Sequence, residues 1–280
     1  MKKILVPTDF SKQAKNALDL AIQLARMADA KIHVMHAVEF PVGGLVDPVG
    51  VAAVPAYDHE FLDALKGKGE ERMARFLDDF DQSKIEHTIE IGSVIANIDE
   101  QLARNDYDLV IMGTKGASGL KEFFLGSNTE KVIRTAECPV IVVREKVDAS
   151  KIKNIVFATL EKGFSEDLMM HVKQLQDLFK ATLHIVRVNT PNNFERDIFA
   201  RPMLQKMADE QMLKDYTINI HNDIYEEDGI ISFTNLIKGD MIALGTHGRK
   251  GLSHAIAGSL AEDLANHANK LIWTYHIKKD

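Results

Sequence analysis

The sequence predicts an α/β protein made of two tandem, doubly wound, parallel five-stranded sheets with helices on both faces. Short runs rich in valine and isoleucine alternate with stretches whose apolar residues recur every three or four positions, and the alternation happens twice along the 280 residues. Strands that alternate with helices imply parallel pairing through right-handed crossovers. A glycine pattern marks the duplication: Gly113, Gly116, Gly126 and Ser127 return as Gly245, Gly248, Gly258 and Ser259, each 132 residues later, so both copies read G-x2-G-x9-G-S.

In chain order, residues 3–8 (KILVPT), 31–38 (KIHVMHAV), 86–91 (EHTIEI), 108–113 (DLVIMG) and 139–143 (PVIVV) are short and rich in valine and isoleucine, the mark of strands. Residues 11–27, 58–82, 94–104 and 127–136 carry the helical period between them. The second half repeats the order, with strands near 152–159, 181–188, 217–221, 239–245 and 270–275. In such a sheet ligands sit outside the carboxyl ends of the strands, and the motif glycines fall there, directly after the fourth strand of each unit.

The register of the repeat extends past the glycines. Asp108, Thr114, Gly119, Leu120 and Glu130 reappear as Asp240, Thr246, Gly251, Leu252 and Glu262 at the same spacing. Upstream the offset becomes 151, since Ile4, Ala30 and His33 match Ile155, Ala181 and His184. The second copy therefore lacks 19 residues, which assigns an insertion to residues 41–57 of the first copy, PVGGLVDPVGVAAVPAY, with the composition of a loop. The domains this predicts are residues 1–147 and 151–280, joined by the short polar segment EKVDASKIK.

Hydrophobic residues at 45% and charged residues at 27% describe a globular chain, and no apolar run approaches the roughly 18 residues of a membrane span. The opening MKKILVPTDFS reads as a first strand rather than a signal peptide. A single cysteine, Cys138, rules out an internal disulfide framework and fits a cytoplasmic protein. A net charge of −7 argues against nucleic acid as the partner, because phosphate-backbone binding needs clustered Lys and Arg.

Gly113 ends a strand and Gly126-Ser127 opens the next helix, so the residues between form a loop that returns to a helix start. Unpaired N–H groups and the positive dipole end at such a start hold phosphate. Ser127 or Thr129 can add a hydroxyl and Lys115 a charge. A structural reading stands beside this one: Ser127 with Glu130, and Ser259 with Glu262, fit S-x-x-E capping boxes that need no ligand. Spacing alone leaves both open.

The segments ILVPTDFS, GTKGASGLKEFFLGSNTEKVIRTAECPVIVVR and GTHGRKGLSHAIAGSLAEDLA resemble the universal stress protein domain, which covers nearly the whole chain as two tandem copies. The resemblance implies an adenine nucleotide α-hydrolase-like, Rossmann-like fold. It also implies a stress or starvation protein that binds ATP, with Mg2+ bridging the phosphates, dimerises through edge strands and has no well-defined catalysis. By position, Pro7, Thr8, Asp9 and Val38 would hold the nucleoside. Met112, Gly113, Lys115 and Gly116 would follow ribose and phosphates, and Gly126, Ser127, Asn128 and Thr129 would close the phosphate side. Gly245, Gly248, Gly258 and Ser259 would be their counterparts. A helix cap is the competing reading of Asp9.

The second copy departs from that pattern. Asp9 aligns with Leu160, Pro7 with Ala158 and Thr129 with Ala261, while Arg249 and Lys250 add positive charge. The first half is thus the expected ATP site, and the second a weaker site or a structural partner, with the halves paired as an intramolecular pseudo-dimer or the chain paired as a homodimer. Two other classes compete: a slow ATPase or self-phosphorylating enzyme, and a nucleotide-independent scaffold. No G-x-x-x-x-G-K-[ST] pattern is present to support a phosphate-transfer loop of that kind. His247 and His254, with His221 or His267, lack the spacing of metal ligands, and no metal site is expected. Cys138 reads as a small buried residue.

Overall fold

The computed structural model describes residues 1–39, 45–46, 52–53, 59–114, 125–159, 165–247 and 255–277. The first half runs β1 (Lys3–Pro7), α1 (Lys12–Ala28), β2 (Lys31–Val38), a two-residue antiparallel pair β3 (Leu45–Val46) and β4 (Ala52–Ala53), α2 (His59–Leu77), β5 (Ile85–Ile91), α3 (Val94–Arg104), β6 (Leu109–Gly113), α4 (Ser127–Thr135) and β7 (Val140–Val143). A short 3-10 turn, Ala149–Lys151, leads to β8 (Asn154–Thr159), α5 (Glu166–Phe179), β9 (Thr182–Asn189), α6 (Asp197–Glu210), β10 (Tyr216–Asn222), α7 (Glu226–Leu236), β11 (Met241–His247), α8 (Ala255–His267) and β12 (Leu271–Ile277).

Alternation along the strands explains the layering. In β1, Ile4 and Val6 pack into one apolar cluster with Leu18 and Ala21 of α1, while Leu5 enters another with Met35, Val110 and Ile133. Both faces are buried, as a parallel sheet requires. Each half has the strand order third, second, first, fourth, fifth, so the order reverses between β1 and β6 and again between β8 and β11. Asp108 and Asp240 recur for a structural reason: each carboxylate accepts main-chain N–H groups at the start of the first strand, Lys3 for Asp108 and Asn154 for Asp240, both at 2.9 Å.

The two five-stranded sheets of the expectation are present, and they are joined edge to edge into one ten-stranded sheet through an antiparallel pairing of β7 with β12. Val140 pairs with Thr274, Ile141 with Trp273 and Val142 with Ile272. Under the 132-residue repeat the copies of Val140, Ile141 and Val142 are Ile272, Trp273 and Thr274. Each residue therefore meets the copy of its opposite number, which is the signature of an isologous two-fold contact. Ile141 and Trp273, 0% and 2% exposed, lie on that axis.

The glutamates read as capping-box partners do something else. Gly126, not Ser127, is the N-cap of α4, and no side chain caps the helix. Glu130 bonds Arg134 at 3.2 Å, and Glu262 of α8 pairs with the same guanidinium across the seam. Helix α2 stops at Leu77, short of the expected residue 82, where acidic Asp78 and Asp79 oppose the negative end of the helix dipole.

Candidate functional site

A cavity of about 190 Å³ opens at the carboxyl ends of β1, β2 and β6, at the order reversal of the first half. Nine residues singled out from the sequence line it: Pro7, Thr8, Asp9, Met112, Gly113, Gly126, Ser127, Asn128 and Thr129. Lys115, Gly116 and Gly248 lie outside the described residues, as do most of residues 41–57. Val38 is not among the lining side chains. A Cβ built on Gly69 of α2 would lie 3.5 Å from its Cγ2, so Val38 packs toward α2, and its carbonyl accepts from Gly92 N–H at 3.0 Å. The apolar wall comes instead from Met35, Ala37 and Val94 with Met112. Strand alternation from Val38 was the available signal: on β2 residues 35 and 37 share the face opposite to 38.

A larger cleft, about 750 Å³, lies between Asp19, Gln23, Arg144, Lys151 and Lys270. It sits at the amino ends of β11 and β12 beside the interdomain segment, the edge of the sheet where ligands do not bind in this architecture.

The β1–α1 turn is built to present Asp9. Thr8 Oγ1 accepts from Phe10 N–H at 3.0 Å, and Phe10 takes a left-handed φ of 66°. That conformation is strained for an aromatic residue and persists because the surroundings fix it. The Phe10 ring lies 4.2 Å from the His36 ring, with the Arg72 guanidinium 4.6 Å above Phe10. His36 Nδ1–H donates to the Thr8 carbonyl at 2.7 Å. Burial pushes the His36 pKa below the ordinary value; the bond to Thr8 partly opposes this and the charge of Arg72 adds to it.

Asp9 divides its two oxygens. Oδ1 accepts from Ser11 N–H at 3.0 Å, a local turn contact, whereas Oδ2 is buried and has no hydrogen-bond partner among the described residues. Ser11, not Asp9, caps α1, its hydroxyl accepting from Ala14 N–H at 3.1 Å. A buried carboxylate oxygen without a donor is costly. It marks the place where a ligand N–H or O–H belongs.

The glycine loop is tied at both ends. Gly126 N–H donates to Thr114 O at 2.7 Å, and the Thr129 hydroxyl donates to Gly113 O at 2.9 Å. Gly113 has a packing role as well: a Cβ there would lie 2.8 Å from the main-chain carbon of Gln13, so strand and helix approach closely only with glycine. Gly126 at the α4 N-cap, with Ser127 and Asn128 on the cavity wall, leaves the helix start turned to the site.

The second half departs from this geometry. Gly258 and Ser259 sit inside α8, which begins at Ala255, so the helix starts ahead of the position that is the N-cap in the first half. Val188 stands where Ala37 stands in the first half, and a Cβ on Gly229 of α7 would overlap it. The first turn of α7 holds Glu226, Glu227 and Asp228, where α3 has no acid. His267 meets Glu227 at 2.6 Å, His221 meets Ser232, and among the described residues no group of three acidic, His or Cys side chains could hold a metal ion. Burial pushes the Cys138 thiol up to about 12, so it is no nucleophile. Among the described residues no helix is long and apolar enough to cross a membrane.

Comparison with known proteins matches this geometry to one family. The universal stress protein family model matches twice, over residues 1–144 and 151–276. A universal stress protein of Methanocaldococcus jannaschii is 34% identical over 147 residues, 51% of this chain and 82% of that protein. One of Bacillus subtilis is 28% identical over 148 residues, 51% of this chain and 98% of that protein. The crystal structure of a universal stress protein from Archaeoglobus fulgidus superposes with a TM-score of 0.74 at 18% identity, covering 98% of both chains. A putative universal stress protein from Pseudomonas aeruginosa gives 0.64 at 18% identity over 99% of this chain and 93% of that one. These two likenesses carry the fold across both halves. The chain belongs to the universal stress protein family, and it holds two copies of the family's domain.

Proposed function

We propose that this protein binds an adenine nucleotide, ATP, in its first half and acts as a nucleotide-responsive stress factor of the cytoplasm, through binding rather than rapid turnover. The observation that carries the reading is Asp9 Oδ2, a buried acceptor without a donor at the rim of a cavity whose wall is apolar. A ribose hydroxyl pair or an exocyclic amine supplies such a donor, and Met35, Ala37 and Met112 suit a flat purine. The described cavity is smaller than the roughly 300 Å³ of a full ligand pocket. It suits the nucleoside, with the phosphates running toward the N-terminus of α4. Mg2+ would ride on the phosphates, because among the described residues no cluster of ligands offers to hold it. The Thr129 hydroxyl is already engaged, donating to Gly113 O. Binding is favoured over self-phosphorylation on that ground.

Calorimetric titration of ATP tests the reading. One site per chain is expected, weakened about tenfold to a hundredfold in Asp9→Ala, the range for a hydrogen bond to a charged acceptor. Undiminished affinity in Asp9→Ala overturns it.

A further inference from the structure

The 151-residue offset places Arg187 of β9 where His36 stands on β2. Arg187 is 2% exposed. Of its donors, Nη2 bonds the neutral side-chain amide of Asn193 at 2.9 Å, and Nε is buried with no partner among the described residues. Among the described residues no carboxylate forms an ion pair with it. Asn193 keeps Glu226 apart from the guanidinium: its Oδ1 accepts from Arg187 while its Nδ2 donates to Glu226 Oε1 at 3.1 Å. A guanidinium taken out of water without an anion is among the least favourable arrangements a fold can hold. The five donors of arginine suit a planar or tetrahedral oxyanion in two-point contact.

The surroundings fix the group in place. Arg187 shares its strand face with Leu183 and Ile185, which pack in the cluster containing α5 and α6, and it lies near the carboxyl end of its strand, the ligand edge of the sheet. The loop above it is clasped by Asn189, whose Nδ2 donates to Glu195 O at 3.0 Å and whose Oδ1 accepts from Glu195 N–H at 3.2 Å. Thr190 bridges Asn193 in the same loop. The Asn193 contact is thereby held rigid, and Nε stays uncompensated.

We propose that the second half carries its own site for a small oxyanion, a phosphate or a carboxylate, received by Arg187, in place of the nucleoside that its sibling takes. Val188 packs against Gly229 on the adjoining wall, where the first half has the smaller Ala37, and a guanidinium with no carboxylate partner among the described residues selects an anion. The proposal extends the two-domain reading and does not depend on ATP binding in the first half.

The test follows thermal unfolding of the full chain in inorganic phosphate or malonate against chloride at constant ionic strength. The variants are R187M and D9A. A saturable rise in midpoint with phosphate, malonate or both is expected in wild type and D9A, and a smaller rise is expected in R187M, where only the α4 N-terminus of the first half still receives an anion; which of the two anions loses its effect in R187M identifies the oxyanion. ATP affinity is expected unchanged in R187M, so a failure of the first-half site appears in the ATP titration alone. Absence of a saturable rise in wild type, or an equal rise in R187M, overturns the proposal. Methionine in place of a buried, unpaired arginine is expected to fold. Should it not, crystals of wild type grown in phosphate decide the matter: an oxyanion within hydrogen-bond distance of Nε supports the site, and its absence there overturns it.

Discussion

The same strand order, the same helices and the same glycine spacing surround two crevices that differ at a handful of side chains. In the first, small Ala37 faces a cavity, Asp9 offers a free oxygen and Gly126 is the N-cap of α4. In the second, Val188 and Gly229 close the wall, α8 begins earlier, and a buried cation replaces the imidazole of His36. Duplication preserved the scaffold, because the scaffold depends on core periodicity and on repeated anchors such as Asp108 and Asp240. It left the ligand edge free to diverge, because loop residues there carry little of the core.

The largest expected contrast between the halves is in stability. Gly113 faces the main chain of Gln13, which cannot move aside, whereas a Cβ on Gly245 would meet only the ends of the Ile277 and Leu168 side chains. Gly113→Ala is expected to cost about 3 kcal/mol and Gly245→Ala about 1 kcal/mol, the two ends of the overpacking range. Urea unfolding measures both. Equal costs would mean that the two motif glycines do the same packing work after all.

Next is the exchange of one wall residue. Ala37→Val copies Val188 into the first cavity, and its added methyl groups occupy space that the purine needs. ATP affinity is expected to fall about tenfold, some 1.4 kcal/mol in binding. Affinity held at the wild-type level would show that the base sits elsewhere, and that the two crevices differ for another reason.

Much of this was legible before the fold was known. The strands at 31–38 and 86–91 match β2 and most of β5, since apolar alternation reports burial directly. That the halves pair through edge strands followed from the family resemblance, but the strands themselves did not show it: VIVV tells that β7 is buried on both faces, and nothing in a strand's composition tells what pairs with its open edge. The roles of Glu130 and Glu262 were hidden for the same reason, as a capping box and a seam ion pair use the same residue at the same spacing. Asp9 was identifiable as a polar group at a strand end, but only the coordinates divide its oxygens between a turn and an unfilled position. Arg187 carried no signal in its own half. It acquires meaning only beside His36, through the repeat.

A smaller effect concerns the pH response that His36 gives the first half. The folded pKa of His36 lies below the ordinary 6.5, with burial as the largest cause. Above that ordinary value both folded and unfolded forms are neutral and the fold keeps its full contribution. As pH falls below it the unfolded chain takes the proton first, and stability is lost. His36→Asn is therefore expected to flatten the fall of the urea midpoint between pH 7 and pH 5 without abolishing it, because burial also lowers His33, His171 and His184. An unchanged slope would mean that the Thr8 turn survives protonation.

The smallest effect concerns the seam itself. Arg134 and Glu262 are 23% and 15% exposed at their side chains, and Arg134 also holds Glu130, so Glu262→Gln leaves the guanidinium with a carboxylate partner. Burial raises the Glu262 pKa above its ordinary 4.5, with Arg134 opposing the rise. For a raised carboxylate the folded form keeps its proton longer, so this contribution is present below 4.5 and is lost as pH rises through the folded value. Stability of wild type relative to Glu262→Gln is expected to decline by a few tenths of a kcal/mol over that interval, because Arg134 keeps Glu130 as a partner in the variant. A loss of several kcal/mol in the variant would place the union of the halves in this ion pair. A small one leaves it where the geometry puts it, in the antiparallel pairing of β7 with β12 and the burial of Ile141 and Trp273 on the two-fold axis.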